Sequence, residues 1–369
     1  MNWLLNKENL AFVTVAGSQA YGMATENSDV DVKGFVLPPQ SVREDMFHKF
    51  EQAENSTQIE EHFSYLKNPS NPKMESTIYS LEKFLKLAGA VNPNIIELLW
   101  VDDKSIAHIS EIGEKVLENR NLFLSSKVKQ SFSGYAYSQF YKIERHRKWI
   151  LKGIMEKPTR EEYGLPEFKH AGMGELFRLL GKDIENWNMS KYPLDDLQRS
   201  EIKEYFWELI NGVTGKNINW DNWPGEYEKA AFEKMVSTLS IPKEITTLMV
   251  REIQYKNDLK EYNSWEHWAK ERNADRKALE IAFSYDTKHA AHLIRLMRMG
   301  CEILESGVVK TLRPDAEELL AIRNGKISYE ELMAEFKKLE ERLELAYKNT
   351  QLPRVVNYEK IQELYFSFL

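Results

Sequence analysis

The sequence predicts an α+β fold in which a small mixed-sheet domain is followed by a mostly helical domain. In the first 80 residues, alternating and β-branched residues form strand-like runs at 12–16 and 29–38. From about residue 105 onward, apolar residues recur instead at helical spacing. We therefore predict a sheet domain at 1–120, a helical domain at 121–349 that closes a cleft over it, and a tail at 350–369 that packs on the body.

The N-terminal elements follow from local signals taken in order. The first strand, FVTVA, ends at the small-residue turn Gly17-Ser18, and residues 19–23 can open a helix there. The second strand closes at Pro38-Pro39, because proline cannot donate to a sheet ladder. The polar stretch 48–72 predicts a hairpin or a loop, and residues 75–80 predict a third strand that leads into a helix.

The C-terminal elements are predicted by helical periodicity and by capping residues. Asp286 is a good N-cap, and Gly307 a good stop, for a helix between them. Further helices are predicted at 126–152, 315–323 and 329–348, and several more within 174–282.

Composition excludes several classes of protein. The chain of 369 residues carries a formal charge of −7, which argues against a protein that coats nucleic acid through its overall charge. Its single cysteine, Cys301, excludes an internal disulfide. The first ten residues lack the basic and apolar pattern of a secretory signal, and no apolar run reaches membrane-spanning length. We expect a cytoplasmic protein without a membrane partner.

Two carboxylates separated by one residue are the main chemical signal. Side chains at i and i+2 of a strand point to the same face, so Asp29 and Asp31 converge. Converging carboxylates require a cation, and Mg²⁺ is the usual one with oxygen ligands. Upstream, Gly17 allows a phosphate to approach the backbone, and the Ser18 hydroxyl can donate to it. A phosphate-binding turn beside a metal site is the equipment for nucleotidyl transfer.

These residues resemble the signature of the polymerase-β-like nucleotidyltransferase superfamily, which is Gly-Ser on a turn and Asp-x-Asp on the next strand. The longer run GSQAYGMATENSDVDVKGFVLPP, from residue 17, is similar to a family of bacterial and phage nucleotidyltransferases, some of them encoded beside RNA ligases. Two later segments fit the same family, YSLEKFLKLAGAVNPNIIELLW at 79–100 and YDTKHAAHLIRLMRMG at 285–300.

The resemblance implies a Mg²⁺-dependent transfer of NMP from an NTP to an acceptor hydroxyl. Asp29 and Asp31 would hold Mg²⁺ on the triphosphate and a second Mg²⁺ at the attacking hydroxyl. The superfamily carries a third carboxylate on a later strand, and matching the motif places Glu75 there, where the family more often has Asp. Glu60 and Glu61 are the alternatives. The association with RNA ligases implies an RNA or tRNA end as acceptor.

Basic residues supply candidate phosphate ligands. Lys33 shares the strand face of Asp31 and is either a phosphate ligand or an edge-strand lysine. Lys288, His292 and Arg295 recur at i, i+4 and i+7, so they line one helical stripe. This stripe would bind the triphosphate, or it would pair with an acidic surface of another domain.

Three further questions about function remain open from the sequence. The basic and aromatic helix at 126–152 is typical either of a polynucleotide groove or of an amphipathic helix with a solvated basic side. The acceptor could also be a small molecule or a protein side chain, which the acidic composition favours. A non-catalytic nucleotide-binding or RNA-binding protein with the same fold is the remaining alternative.

Overall fold

A computed structural model describes residues 3–165, 243–272 and 274–369. Within these residues, five strands form one mixed sheet in the order β3-β4-β2-β1-β5. The strands are β1 (Leu10–Ala16), β2 (Val30–Val36), β3 (Gln52–Glu54), β4 (Met74–Ser80) and β5 (Ile106–Ile109). β1 is antiparallel to β2 and β5, β3 is antiparallel to β4, and β2 and β4 are parallel.

Helices make up most of the rest of the described chain, which confirms the predicted α+β class. Those of the N-terminal part are α1 (Gly17–Ala20), α2 (Gln40–Arg43), α3 (Thr57–His62), α4 (Leu81–Gly89), α5 (Pro93–Ile96), α6 (Glu111–Glu118) and α7 (Val128–Lys152). The later ones are α8 (Lys243–Glu271), α9 (Ala274–Phe283), α10 (Thr287–Ser306), α11 (Ala316–Arg323), α12 (Tyr329–Asn349) and α13 (Tyr358–Phe366).

The chain divides into two compact units. The first unit combines Met1–Lys152 with Asn273–Leu369, and the second is Gly153–Arg272. The sheet and the helices α9 to α13 thus belong to one unit, and the predicted boundary at residue 120 falls inside it. In the second unit, α8 contacts a short 3₁₀ turn at Glu161–Tyr163.

Each face of the sheet packs on its own apolar core. On one face, Val30, Val32 and Ile78 join Ile59 and Phe63 near α3. On the other face, Phe12 and Phe35 join a larger core that includes α4, α7, α10 and α12. Because side chains alternate along a strand, Asp31 and Lys33, the neighbours of Val32, point toward the helices. This alternation decides where the polar residues of β2 lie.

The predicted helix after Asp286 has the ends that its capping residues indicate. The Asp286 carboxylate accepts a hydrogen bond of 3.1 Å from the backbone N–H of His289, and this fixes the start of α10. Gly307 adopts a φ of 69°, a left-handed conformation that glycine takes without strain, and it ends the helix. The predictions for α7, α11 and α12 are confirmed within two residues at each end.

Other segments differ from the sequence-based prediction. The polar stretch 48–72 contains β3 and α3. Residues 106–109, predicted to begin the helical part, form the edge strand β5. Of the helices predicted within 174–282, those up to residue 242 lie outside the described residues, whereas α8 and α9 account for the rest.

Candidate active site

Three carboxylates meet where β2 and β4 begin. Asp31 and Glu75 are direct partners in the parallel β2–β4 register, so their side chains leave the sheet side by side on the face that points to the helices. Asp29 precedes β2 by one residue and has the same parity as Asp31. The alternatives Glu60 and Glu61 lie on α3, which packs with the opposite face.

The Gly-Ser turn lies directly against this group. Gly17 follows β1 and opens α1 with a φ of 63°. A Cβ atom at Gly17 would overlap Oδ2 of Asp31 and lie 3.0 Å from its Cγ. The absence of a side chain at residue 17 therefore lets the turn approach the carboxylate. Ser18 is half-buried, and its hydroxyl makes no hydrogen bond with the described residues.

Gly17→Ala is expected to lower activity about 100-fold, because a displacement of about 1 Å in a catalytic group can cost that much. The new methyl group must push the Asp31 carboxylate aside, and alanine at positive φ adds a strain of about 1–2 kcal/mol. Initial rates and thermal unfolding would measure both effects. Gly134→Ala on α7 is the matched control, since its Cβ would meet no atom within 4 Å. Equal activity of the two variants would contradict the prediction.

The charges around the carboxylates leave Asp31 poorly neutralised. Burial raises the pKa of Asp31 above its usual value, Lys33 opposes this, and the neighbouring Asp29 and Glu75 raise it further. An ammonium group already lies among the acids, because Lys73 Nζ is 2.5 Å from Glu75 Oε1 and 4.0 Å from Asp29 Oδ2. The site thus attracts cations.

Lys33 lies beside Asp31 on the same face of β2, as the alternation predicts. It is half-buried, opposite Thr77 in the register, and it lines a small cavity together with Gly17 and Tyr21. In this place Lys33 lowers the pKa of Asp31. Its ammonium group makes no ion pair within the described part of the chain.

Two members of the predicted basic stripe, Lys288 and His292, lie on successive turns of α10. Lys288 is the one near the three carboxylates. Lys288, in the first turn of α10, is exposed. Partial desolvation nevertheless lowers its pKa, and repulsion from Arg276 and Arg323 lowers it further. Attraction to Asp29 and Asp31 opposes this shift. His292 is half-buried one turn further on. Burial lowers its pKa well below the usual value, so this imidazole is neutral at pH 7.

The third member, Arg295, pairs with a different carboxylate and not with Asp29, Asp31 or Glu75. It is only 2% exposed and forms an ion pair with Glu97, which is 3% exposed. Its guanidinium stacks 3.8 Å from the ring centroid of Tyr21, and the Tyr21 hydroxyl donates a hydrogen bond of 2.5 Å to Glu97. The charge of Arg295 is thus already neutralised inside the core, and triphosphate binding by this residue stays a prediction that the ion pair does not support.

One face of α7, the helix for which the sequence left a polynucleotide groove open, contacts other residues of the protein. Gln139 Oε1 lies 2.8 Å from Nδ1 of His289, and His146 Nδ1 lies 2.7 Å from Oδ2 of Asp286. Tyr135 accepts a hydrogen bond from Asn92 at 2.8 Å. Tyr135, Gln139 and His146 are four and seven residues apart, so they share one face of α7, and that face packs within the first unit.

The cluster His146–Asp286–His289 brings three potential ligand atoms within 4.8 Å of one another. Arg276 Nη2, however, donates to both oxygens of the fully buried Asp286, at 2.9 and 3.1 Å. Its guanidinium supplies the positive charge that the carboxylate requires. Burial lowers the pKa of His289 to about 3, so it stays neutral. We interpret the cluster as the support that fixes the first turn of α10, and with it Lys288.

Sequence reasoning missed two cations of the site. Lys73 is two residues before Glu75, so strand alternation was a signal that could have found it. Arg323, the last residue of α11, is close enough to Asp29 for the carboxylate to affect its pKa. No local pattern in the sequence indicates that proximity.

Comparison with known proteins gives a family match that covers most of the chain. The family model RlaP, described as the RNA repair pathway DNA polymerase beta family, matches residues 5–269. This range contains the Gly-Ser turn and all three carboxylates, whereas Lys288 and Arg323 lie beyond it. No solved structure matches the chain.

Two curated relatives are themselves uncharacterized. A 38.9 kDa protein of the nrdC–mobD intergenic region of Enterobacteria phage T4 is 24% identical over an alignment of 181 residues, which covers 46% of this chain and 50% of the phage protein. Protein MJ0002 of Methanocaldococcus jannaschii is 26% identical over an alignment of 247 residues, which covers 59% of this chain and 89% of the relative. None of the helices in the described ranges combines the length and apolar character that crossing a bilayer requires.

Proposed function

We propose, because this chain belongs to the RNA repair pathway DNA polymerase beta family, that it transfers an NMP from an NTP to an acceptor hydroxyl and releases pyrophosphate. The observation that carries the proposal is the β2–β4 register. It pairs Asp31 with Glu75, while Asp29 stands two residues from Asp31 and Gly17 lies against its carboxylate.

The residues present fit a pair of Mg²⁺ ions. Three carboxylates supply hard oxygen ligands, and their mutual repulsion contributes to the raised pKa of Asp31. Asp29 and Asp31 would hold both ions, and Glu75 would contribute to the one nearer the acceptor. Bound Mg²⁺ supplies charge neutralisation for the triphosphate and lowers the pKa of the attacking hydroxyl.

The protein's own groups then position the reactants and move one proton. Glu75 accepts the proton of the acceptor hydroxyl, directly or through water, as the oxygen attacks the α-phosphorus. A new bond forms between that oxygen and the phosphorus, and the bond from the α-phosphorus to the bridging oxygen breaks. Pyrophosphate leaves with the released electron pair. Because the chain supplies no covalent nucleophile in this scheme, its contribution is positioning and electrostatics.

The phosphates would bind between the Gly-Ser turn and α10. The backbone at Gly17 and the unengaged Ser18 hydroxyl offer donors on one side. Lys288 offers an ammonium group on the other side, and neutral His292 one turn beyond it can donate a single N–H. Lys33 partly offsets the negative charge of Asp31. We propose that Lys33 favours phosphate binding only through this electrostatic effect and not through a direct contact.

We propose an RNA or tRNA end as the acceptor, on the basis of the family description. The formal charge of −7 does not favour extended nucleic-acid binding, so we expect contact with a short stretch near the reacting end. A small molecule, a protein side chain and nucleotide binding without transfer are the outcomes against which this acceptor is tested.

The test incubates the purified protein with each α-³²P-labelled NTP, Mg²⁺ and total RNA, beside the Asp29→Asn/Asp31→Asn variant. Label on RNA that the variant abolishes would establish terminal transfer and identify the base. Pyrophosphate release that depends on Mg²⁺, without labelled RNA, would assign a different acceptor. Absence of turnover with every NTP and acceptor would overturn the enzymatic proposal in favour of binding alone.

Glu75 distinguishes this mechanism from one with two carboxylates. Glu75→Gln removes the proton acceptor and is expected to lower the transfer rate about 100- to 1,000-fold, with little change in NTP affinity. Glu75→Asp keeps the charge and is expected to retain more activity than Glu75→Gln. Single-turnover rates with saturating NTP would measure the difference. Glu60→Gln on α3 is the control, and an effect there equal to that of Glu75→Gln would contradict the assignment.

A further inference from the structure

The helix α11 is held beside the phosphate-binding turn at its N-terminal end. A Cβ atom at Gly22 would lie 3.8 Å from Cβ of Ala316, and the backbone N–H of Arg313 donates to the carbonyl of Tyr21 at 3.2 Å. Ala316 and Arg323 are seven residues apart, so they share one face of α11. The face that touches the turn therefore ends in the guanidinium of Arg323.

The C-terminal end of α11 lies near the start of α10. Gly325 packs so closely against the ring of Phe283 that any side chain at residue 325 would overlap it. Phe283 ends α9, and Lys288 follows five residues later in the first turn of α10. The fold thus brings Arg323 and Lys288, from two different helices, near the carboxylate group.

Arg323 differs from its neighbouring arginines in its partners. Arg298 contacts Asp315, Glu318 and Glu335. Arg313, in the same segment, contacts Glu302 and Asp315. Arg323 is half-buried and makes no ion pair or hydrogen bond with any described residue.

The charges near Arg323 increase the cost of leaving it unpaired. Burial lowers the pKa of Arg323, attraction to Asp29 opposes this, and Arg276 adds repulsion. Lys288, also without an ion pair among the described residues, is subject to the same repulsion. Arg323 and Lys288 both lie near the carboxylates without an ion pair among the described residues, so an anion bound to both would lower the cost of their unpaired charges.

We propose that Arg323 binds the β- and γ-phosphates of the nucleotide, together with Lys288. The inference rests on the proposed function and adds a residue that lies beyond the range matched by the family. The planar guanidinium can contact two phosphate oxygens at once, whereas the Lys288 ammonium acts as a point charge. Both belong to helices, whereas the Gly-Ser turn follows a strand, so the polyphosphate would contact groups from both parts of the first unit.

Equilibrium binding of each Mg²⁺-NTP, and of the corresponding NMP, tests the inference on the full chain. Arg323→Met is expected to weaken binding of the preferred NTP about 10- to 100-fold, the size of one or two charge-assisted hydrogen bonds, and to leave NMP binding unchanged. Arg323→Lys is expected to recover part of the affinity. Lys326→Met is the matched control, because Lys326 is exposed just beyond the same helix end.

The outcomes separate this inference from the proposed function. Unchanged NTP affinity in a folded Arg323→Met variant would overturn the inference and leave Arg323 as a residue that only favours the C-terminal end of α11. An equal loss in Lys326→Met would also overturn it, because the effect would then be one of general charge. Failure of the unmodified protein to bind any NTP would overturn the proposed function itself, and the inference with it.

Discussion

Asp31→Asn is expected to lower nucleotidyl transfer by at least about 1,000-fold, since metal ions supply several kcal/mol of transition-state stabilisation and Asp31 is the central ligand of the proposed metal site. Asp31 is paired with Glu75 in the sheet and faces Gly17 in the turn. Asparagine keeps the shape of the side chain but removes the charge that we propose binds Mg²⁺. Rates of pyrophosphate release at saturating NTP would measure the loss.

The same substitution should not destabilise the fold. Because the pKa of Asp31 is raised in the folded state, its ionisation at neutral pH opposes folding. A neutral residue of the same shape removes this cost, so the free energy of unfolding is expected to stay equal or to rise slightly. Asp103→Asn, in the short 3₁₀ turn before β5, is the control for charge. Loss of activity with loss of folding would contradict a catalytic role.

The two acidic strands illustrate what the sequence can predict. Alternation alone places Asp29 and Asp31 on one face, and the strand that contains Glu75 was predicted from its own residues. Their pairing in register is a long-range property, and only the family resemblance indicated it. Once the register is known, Glu60 and Glu61 are excluded because α3 packs with the other face of the sheet.

The helix α10 shows where sequence reasoning fails. The spacing of Lys288, His292 and Arg295 indicates one stripe, but a stripe about 10 Å long does not face a single environment. Its first turn approaches the carboxylates, and its third turn enters the core. The residue that neutralises Arg295 is Glu97, 198 positions away in the chain. No local pattern could have distinguished this ion pair from a phosphate site.

The short strand β5 was missed for a different reason. Its four residues, all half-buried, are too few to establish an alternation, and a helical pattern follows at once. Pairing with β1 determines its conformation. Elements that depend on a partner strand are therefore less predictable than the capped helix after Asp286, whose ends are determined by its own residues.

Glu97→Ala is expected to lower the free energy of unfolding by about 3–5 kcal/mol, the usual cost of removing one partner from a buried ion pair. Arg295 would keep its charge in the core without a counterion. The Tyr21 hydroxyl would lose its acceptor as well, and burial already raises the pKa of Tyr21, so it cannot ionise to compensate. Chemical denaturation monitored by tryptophan fluorescence would measure the change.

The double variant Glu97→Gln/Arg295→Met removes both charges together, so its cost should be clearly smaller than that of Glu97→Ala. Glu305→Ala is the control at a surface pair, where Arg342 contacts Glu305 at 2.6 Å and the expected cost is at most about 1 kcal/mol. Tyr21 contacts both Glu97 and Arg295 and follows the Gly-Ser turn by three residues. A folded variant that lacks only one of these two charges should therefore also bind NTP more weakly. A cost for Glu97→Ala no larger than that of Glu305→Ala would show that the buried pair does not stabilise the turn.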